Sequence, residues 1–313
     1  MKKIELTDIE GFRIGQAKDP HAKTGCTVII CERGAKGGVD VRGGSPGTRE
    51  TDLLRSENLV EEVHAVFLSG GSAYGLDVGA GVMQFLEERG IGFDVQVARV
   101  PIVPGAILFD LHTGDAGVRP DRKMGYQAST NAFSPIPFKE GVEGAGAGAT
   151  VGKVLGPDHA MKGGIGSYTV QVGNLKIGAV VAVNSFGDVI DPETGQIVAG
   201  VQKEGRFLGT EKVLIQSIEK TDTNRFSGNT TIGSVITNAK LTKPQANKIA
   251  ALAHDGLART IRPSHTFVDG DTLFTLTTNE VEVDLNGLSS LAAHVVEQAV
   301  LRAIQGAQAI NDS

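Results

Sequence analysis

Thr27 to Glu32, His64 to Ser69, Val95 to Val100, Ser167 to Val172, Thr231 to Thr237 and Thr272 to Thr278 read as strands, and several of them alternate apolar and polar residues with the period of half-buried strands. Leu175 to Asn184 is a further strand, and from Lys176 onward it is more continuously apolar, as in a strand covered on both faces. Three segments switch to the helical period. Ser72 to Arg89 follows a Gly-Gly pair and stops at Gly90, a good helix terminator. Thr242 reads as an N-cap with Pro244 in the first turn. Ala246, Ile249, Ala250, Ala253 and Leu257 form its apolar stripe, and that helix should end before Pro263. The last helix spans Ser289 to Gln305, with Leu291, Val295, Val296, Ala299 and Ile304 on one side. Between them, Pro101 to Ala149 reads as a loop-rich elaboration, because Ile107-Leu-Phe109 and Phe133 interrupt what would otherwise resemble a linker. Strands and helices mix without strict β-α-β alternation, which predicts a layered α+β sandwich in one domain.

Composition changes this picture little. The 313 residues are 40% hydrophobic and 21% charged, ordinary for a folded globular chain. Glycine is the outlier at 42 residues, which predicts tight turns and close backbone packing in place of bulky filling. A net charge of -6 without any Lys/Arg block argues against a nucleic-acid partner. No run approaches the roughly 20 apolar residues of a membrane helix. The N-terminal segment lacks a secretory signal, and Cys26 and Cys31 sit in one strand facing opposite sides. A reduced, cytoplasmic chain follows as the expectation.

Several motifs carry candidate chemistry. The glycine-rich run Gly144 to Lys153 does not fit a phosphate loop, since Ala147 and Val154 stand where Walker A needs Gly and Ser or Thr. A close-packed turn is the plainer reading, with Lys153 a surface lysine unless the turn delivers it into a pocket. Ser69-Gly-Gly-Ser-Ala-Tyr-Gly75 approaches the nucleophile elbow, but Tyr74 occupies the second glycine position, so Ser72 reads better as a helix cap. The seven histidines form no ligand spacing, and no cofactor motif is present. Asp269-Gly-Asp271, at a strand entrance, reads either as a turn or as a carboxylate pair that orients an amine. Asn184, at the end of an apolar strand, reads as an Asx turn or an oxyanion donor.

The Asn229-Thr230 bond, in Ser227-Gly-Asn-Thr-Thr-Ile-Gly, has the most specific chemistry. A cut there exposes Thr230 with hydroxyl and amine on one residue, the nucleophile and base of an N-terminal nucleophile hydrolase.

Taken together these segments resemble the DmpA-type L-aminopeptidase/D-Ala-esterase/amidase family, which includes β-peptidyl aminopeptidases and a nylon-oligomer endohydrolase. The resemblance runs from Gly11-Phe-Arg-Ile-Gly15 to the C-terminal helix. It is carried by Asp40-Val-Arg-Gly-Gly-Ser-Pro-Gly-Thr48, Leu68 to Asp77, Val103 to Asp110, Gly146 to Lys153, Val181 to Asn184 and Asn229 to Ile232. It implies a four-layer αββα sandwich that cuts itself between Asn229 and Thr230 into segments 1–229 and 230–313. It also implies a site of Thr230, Lys153, Asn184, Asp269 and Asp271, no cofactor, a small peptide-like amide with a free amine as substrate, and a homo-oligomer, usually a tetramer. Serine-type aminopeptidases of the family carry Tyr near the Lys153 position and Ser/Glu near the aspartates, so this chain departs from a strict aminopeptidase pattern. Alternatives are an acyltransferase like the ornithine acetyltransferases, a non-catalytic binding descendant, and a hydrolase centred on Ser72.

Overall fold

The computed structural model describes residues 1–219 and 228–309, so Ser227 of the cut-site motif lies outside the described residues. The main sheet is built from β1 (Arg13–Asp19), β2 (Thr24–Val41), β3 (Glu62–Ser69), β4 (Gly105–Ile107), β5 (Gly164–Val172), β6 (Leu175–Asn184), β7 (Thr230–Ala239) and β8 (Thr272–Val281). Two-residue strands at Lys2–Lys3 and Thr48–Arg49 close its edges. Around it lie α1 (Val78–Glu87), α2 (Arg122–Ala132), the short α3 (Thr210–Gln216), α4 (Lys243–Thr260) and α5 (Leu285–Ala309).

The long β2 joins two halves of this sheet. Its first residues pair antiparallel with β1 and β3, and its last with β8. Between Ile30 and Ala35 the pairing with β3 slips, at the point where Gly34 takes a φ of 82°. Such an irregularity bends a strand and lets one strand serve two facing sheets. The neighbour order is β5, β6, β7, β8, β2, β3, β4, with β7–β8 and β3–β4 parallel.

Alternation along the strands divides the apolar residues into three cores. Ile177, Ala179, Val181 and Val183 of β6 point to one face, under Ile249 and Leu257 of α4 and Val295 and Ala299 of α5. Val180 and Ala182 point the other way and meet Ile232, Ile236, Phe274, Ile29 and Leu68 in a core between the sheets. Cys26, Val28, Ala65 and Phe67 form the third core with Val82, Phe85 and Ala128 of α1 and α2. Helices, sheet, sheet, helices: the chain is a four-layer αββα sandwich. Cys26 and Cys31 are free, buried and in different cores, on opposite faces of β2.

Glycine permits the close layering. At Gly166 of β5 a Cβ would stand 2.2 Å from the Ala299 carbonyl of α5, so strand and helix backbones touch directly. The α4 start matches the sequence reading, with Thr242 and Gln245 forming a reciprocal capping box.

Other expectations require correction. Val95 to Val100 is a tight hairpin of Phe93–Asp94 and Arg99–Val100. Its alternating valines are exposed, and Gln96 adopts a φ of 71° in the turn. The first helix opens as a 3-10 turn over Ser72–Asp77, and Ser72 does not cap it. Ser72 itself has a φ of 56°, and its N–H donates to the Leu108 carbonyl. The proline-rich middle contains α2, capped by Asp121 through the Met124 N–H and poor in large apolar residues because Gly125, Ala128 and Ser129 form its buried face.

Candidate active site

Two strand ends and a loop converge at one edge of the inter-sheet core. β6 ends at Asn184, directly opposite Thr230 at the start of β7. β8 runs parallel to β7 with Thr272 beside Ile232, so the loop Asp269-Gly270-Asp271 lies alongside residues 229–231, and Asn229 bridges to Asp269. The register of three apolar strands therefore fixes the polar ends to one another. All five expected site residues are buried here, Thr230 at 3%, Lys153 at 6% and Asn184 at 0% exposure.

In the uncut chain the Thr230 hydroxyl donates to the Asn229 carbonyl, the one it would have to attack. The same oxygen accepts the Gly270 N–H at 3.0 Å. A Cβ on Gly270 would lie 2.7 Å from Thr230 Oγ1, so only glycine brings this amide against the Thr230 hydroxyl without displacing it.

Lys153 and Asn184 hold the preceding carbonyl. Lys153 Nζ donates to the Asn184 carbonyl at 2.9 Å, to Asn184 Oδ1 at 2.8 Å and to the Gly228 carbonyl at 3.0 Å. Asn184 Nδ2 donates to the Phe109 carbonyl at 2.9 Å and to the Gly228 carbonyl at 3.3 Å, while Oδ1 also accepts the Thr150 N–H. The Asn184 amide is thus engaged one residue upstream of the Asn229 carbonyl, and a backbone amide faces that carbonyl.

The aspartates brace the start of β7. Asp271 Oδ1 accepts the Thr231 N–H at 2.7 Å, one residue beyond Thr230, and Oδ2 accepts the His265 N–H and pairs with His265 Nδ1 at 2.8 Å. Asp269 accepts from Phe186 N–H and from both the N–H and hydroxyl of Thr266. Burial, with repulsion from Asp271, raises the Asp269 carboxyl to about 6. Burial lowers the Lys153 ammonium to about 7, with Asp269, Asp110 and Asp271 pulling the other way. Both groups therefore change charge close to neutrality, where proton-transfer chemistry is tuned.

Comparison with known proteins gives the family. The family model described as peptidase family S58 matches residues 5–313. The chain belongs to peptidase family S58. It is a peptide or amide hydrolase. An uncharacterized aminopeptidase of Mycobacterium leprae is 42% identical over 294 residues, covering 88% of this chain and 79% of that protein. A 6-aminohexanoate-oligomer endohydrolase of Agromyces sp. is 33% identical over 316 residues, covering 95% and 84%. The solved L-aminopeptidase D-Ala-esterase/amidase of Ochrobactrum anthropi superposes with a TM-score of 0.69 over 97% of this chain and 86% of that one, at 18% identity, and shares the fold.

In this S58 chain, two of the motifs that carried the resemblance, Asp40 to Thr48 and Val103 to Asp110, pack around the site. Gly43 abuts the Asp269 carbonyl and the Asp271 N–H, where a Cβ would come within 2.3 Å, and Ser45 N–H donates to the Asp269 carbonyl. Asp110 is buried, accepts Thr24 Oγ1 at 2.6 Å and Gly71 N–H at 2.7 Å, and is raised by burial. It anchors the turn whose Phe109 carbonyl orients Asn184. Two participants escaped the sequence reading. The Gly270 N–H is a backbone group with no side-chain signature. His265 gave no spacing signal; its left-handed φ of 57° brings it back onto Asp271, edge-to-face with the buried His254 at 4.8 Å. Among the described residues, no hydrogen bond links the Ser72 hydroxyl to a histidine or carboxylate, which leaves the Ser72-centred alternative without a base.

Proposed function

We propose that the chain is a self-processing amidohydrolase in which Thr230, freed by cleavage after Asn229, forms an acyl-enzyme with a small peptide-like amide. The observation that carries this is the Thr230 hydroxyl seated on the Asn229 carbonyl, with the Gly270 N–H on the same oxygen. In the first stage Oγ1 adds to the Asn229 carbonyl carbon, and the π pair moves onto the oxygen facing Gly270. The C–N bond then breaks and the hydroxyl proton ends on the Thr230 nitrogen, giving an ester. Water hydrolyses that ester, leaving an Asn229 carboxylate on segment 1–229 and a free hydroxyl and amine on segment 230–313.

In the second stage the Thr230 amine, with an ordinary α-amino pKa of about 8, accepts the hydroxyl proton as Oγ1 attacks substrate. The preorganised N–H of Gly270 faces the oxyanion. Lys153 and Asn184 position the acyl side, and Lys153 places positive charge beside the developing negative charge. Asp271, through the Thr231 N–H, and Asp269, through the Asn229 bridge, fix the strand that carries the amine. We read the assembly as a cytoplasmic homo-oligomer of cut units, by family resemblance; no helix among the described residues is long and apolar enough to cross a membrane. The test is amide turnover and labelling by a threonine-directed electrophile. Wild type and Ser72→Ala should both turn over and label at Thr230, and Thr230→Ala should do neither. Turnover that survives in Thr230→Ala would sink the proposal.

A further inference from the structure

The Asp271 carboxylate is gripped from two sides. Its Oδ1 accepts the Thr231 N–H at 2.7 Å, just past Thr230. Its Oδ2 accepts the His265 N–H at 3.0 Å and meets His265 Nδ1 at 2.8 Å. Among the described residues, both hydrogen bonds to that second oxygen thus come from residue 265. Each carboxylate oxygen receives a backbone N–H, so toward the ring Asp271 is an acceptor and Nδ1 carries the hydrogen. His265 Nε2 is shielded from solvent without a hydrogen-bond partner among the described residues, which leaves Nδ1 as the ring's polar contact. A φ of 57° turns residue 265 back onto Asp271, a left-handed conformation that Asn, Asp and His tolerate best after glycine. Behind the ring stands His254 of α4, fully buried and edge-to-face at 4.8 Å, its Nε2 donating to the Asp40 carbonyl at 3.0 Å.

From this we infer that His265 is a positioning residue for self-cleavage: its Nδ1–H locks the Asp271 carboxylate in the rotation that holds the Thr231 N–H, and so keeps the Thr230 hydroxyl on the Asn229 carbonyl. The inference rests on the self-cleaving reading above. The Thr230–Thr231 peptide is planar, so anchoring its N–H fixes the Thr230 Cα from which the hydroxyl projects. The main chain at Asp271 is already pinned, since its carbonyl accepts the Arg42 N–H at 2.9 Å and the Gly43 N–H at 3.3 Å. Rotation of the carboxylate is the freedom that remains, and residue 265 removes it. His265 exchanges no proton with the reacting atoms; it acts through Asp271. Small errors of placement matter here, because a displacement of about 1 Å in a reacting group costs about 10²-fold in rate.

Two substitutions test the inference on the full chain made by cell-free synthesis, with the first-order rate of self-cleavage read from intact mass at intervals. His265→Gly removes the ring, keeps the backbone N–H and adopts the left-handed conformation without strain. His265→Asn places an amide N–H where Nδ1 stands, on a residue that also tolerates that backbone. The Gly variant should cut about tenfold or more slower than wild type, the scale of one charge-assisted hydrogen bond, and the Asn variant should stay within about threefold of wild type. A ring that served only to pack against His254 would be missed equally in both variants. An Asn variant as slow as the Gly variant therefore overturns the inference, and so does a Gly variant as fast as wild type. Either result leaves the self-cleaving reading intact, because wild type still cuts. A wild-type chain that never cuts overturns both.

Discussion

Gly270 and Lys153 are the residues whose chemistry depends most on where they sit. Replacing Gly270 by Ala inserts a methyl 2.7 Å from Thr230 Oγ1 and pushes nucleophile and donor apart. Loss of a single oxyanion donor slows acyl chemistry by about 10²–10³. A processing time course followed by gel should show Gly270→Ala retarded on that scale while circular dichroism stays native. Lys153 makes a pH prediction. Its ammonium falls from 10.5 to about 7 on folding, so between those values the unfolded chain binds the extra proton. Its contribution to stability is present above 10.5 and lost as pH falls through about 7. Denaturant unfolding should show stability rising with pH across that window, and Lys153→Met should lose that component of the rise. Asparagine and threonine were legible as reactive partners from the sequence because their side chains do the chemistry. The Gly270 amide was not, because every residue except proline carries one and only the parallel register of β7 and β8 selects it.

At the scale of elements, the strands that build the site and the helix α4 were the easiest to read and α2 the hardest. β6 matches its expected bounds because its largely apolar run sends alternate residues into two cores. α2 was hidden because its buried face is glycine, alanine and serine, chosen for closeness to α1 rather than for apolar bulk: a Cβ on Gly125 would meet the Val78 carbonyl at 2.2 Å. The hairpin at Val95 failed for the opposite reason, since alternation marks a strand only where one face finds a core. The same logic predicts the effect of enlarging a contact glycine. Gly166→Val drives a side chain into α5, and overpacking of that kind costs about 1–3 kcal/mol. Chemical denaturation should place the loss there, with unchanged secondary structure at low denaturant.

The whole molecule explains why a cut at residue 229 need not dismantle the fold. Segment 230–313 contributes β7 and β8 to the middle of the sheet, with β6 on one side and β2 on the other, and α4 and α5 to one outer layer. The two segments should therefore elute together from a sizing column under native conditions and separate only in denaturant. The family motifs spread over the chain were legible together because several of them support this one edge of the sandwich, although singly each looked like a turn. The central claim is that the Asn229–Thr230 bond breaks itself through Thr230. Intact-mass spectrometry with N-terminal sequencing tests it most directly, on purified wild type and on Thr230→Ala. Wild type should yield a fragment beginning Thr-Thr-Ile-Gly and its 229-residue partner, and Thr230→Ala should remain one chain of 313 residues. A wild-type chain that stays whole, or a Thr230→Ala chain cut at the same bond, would contradict it.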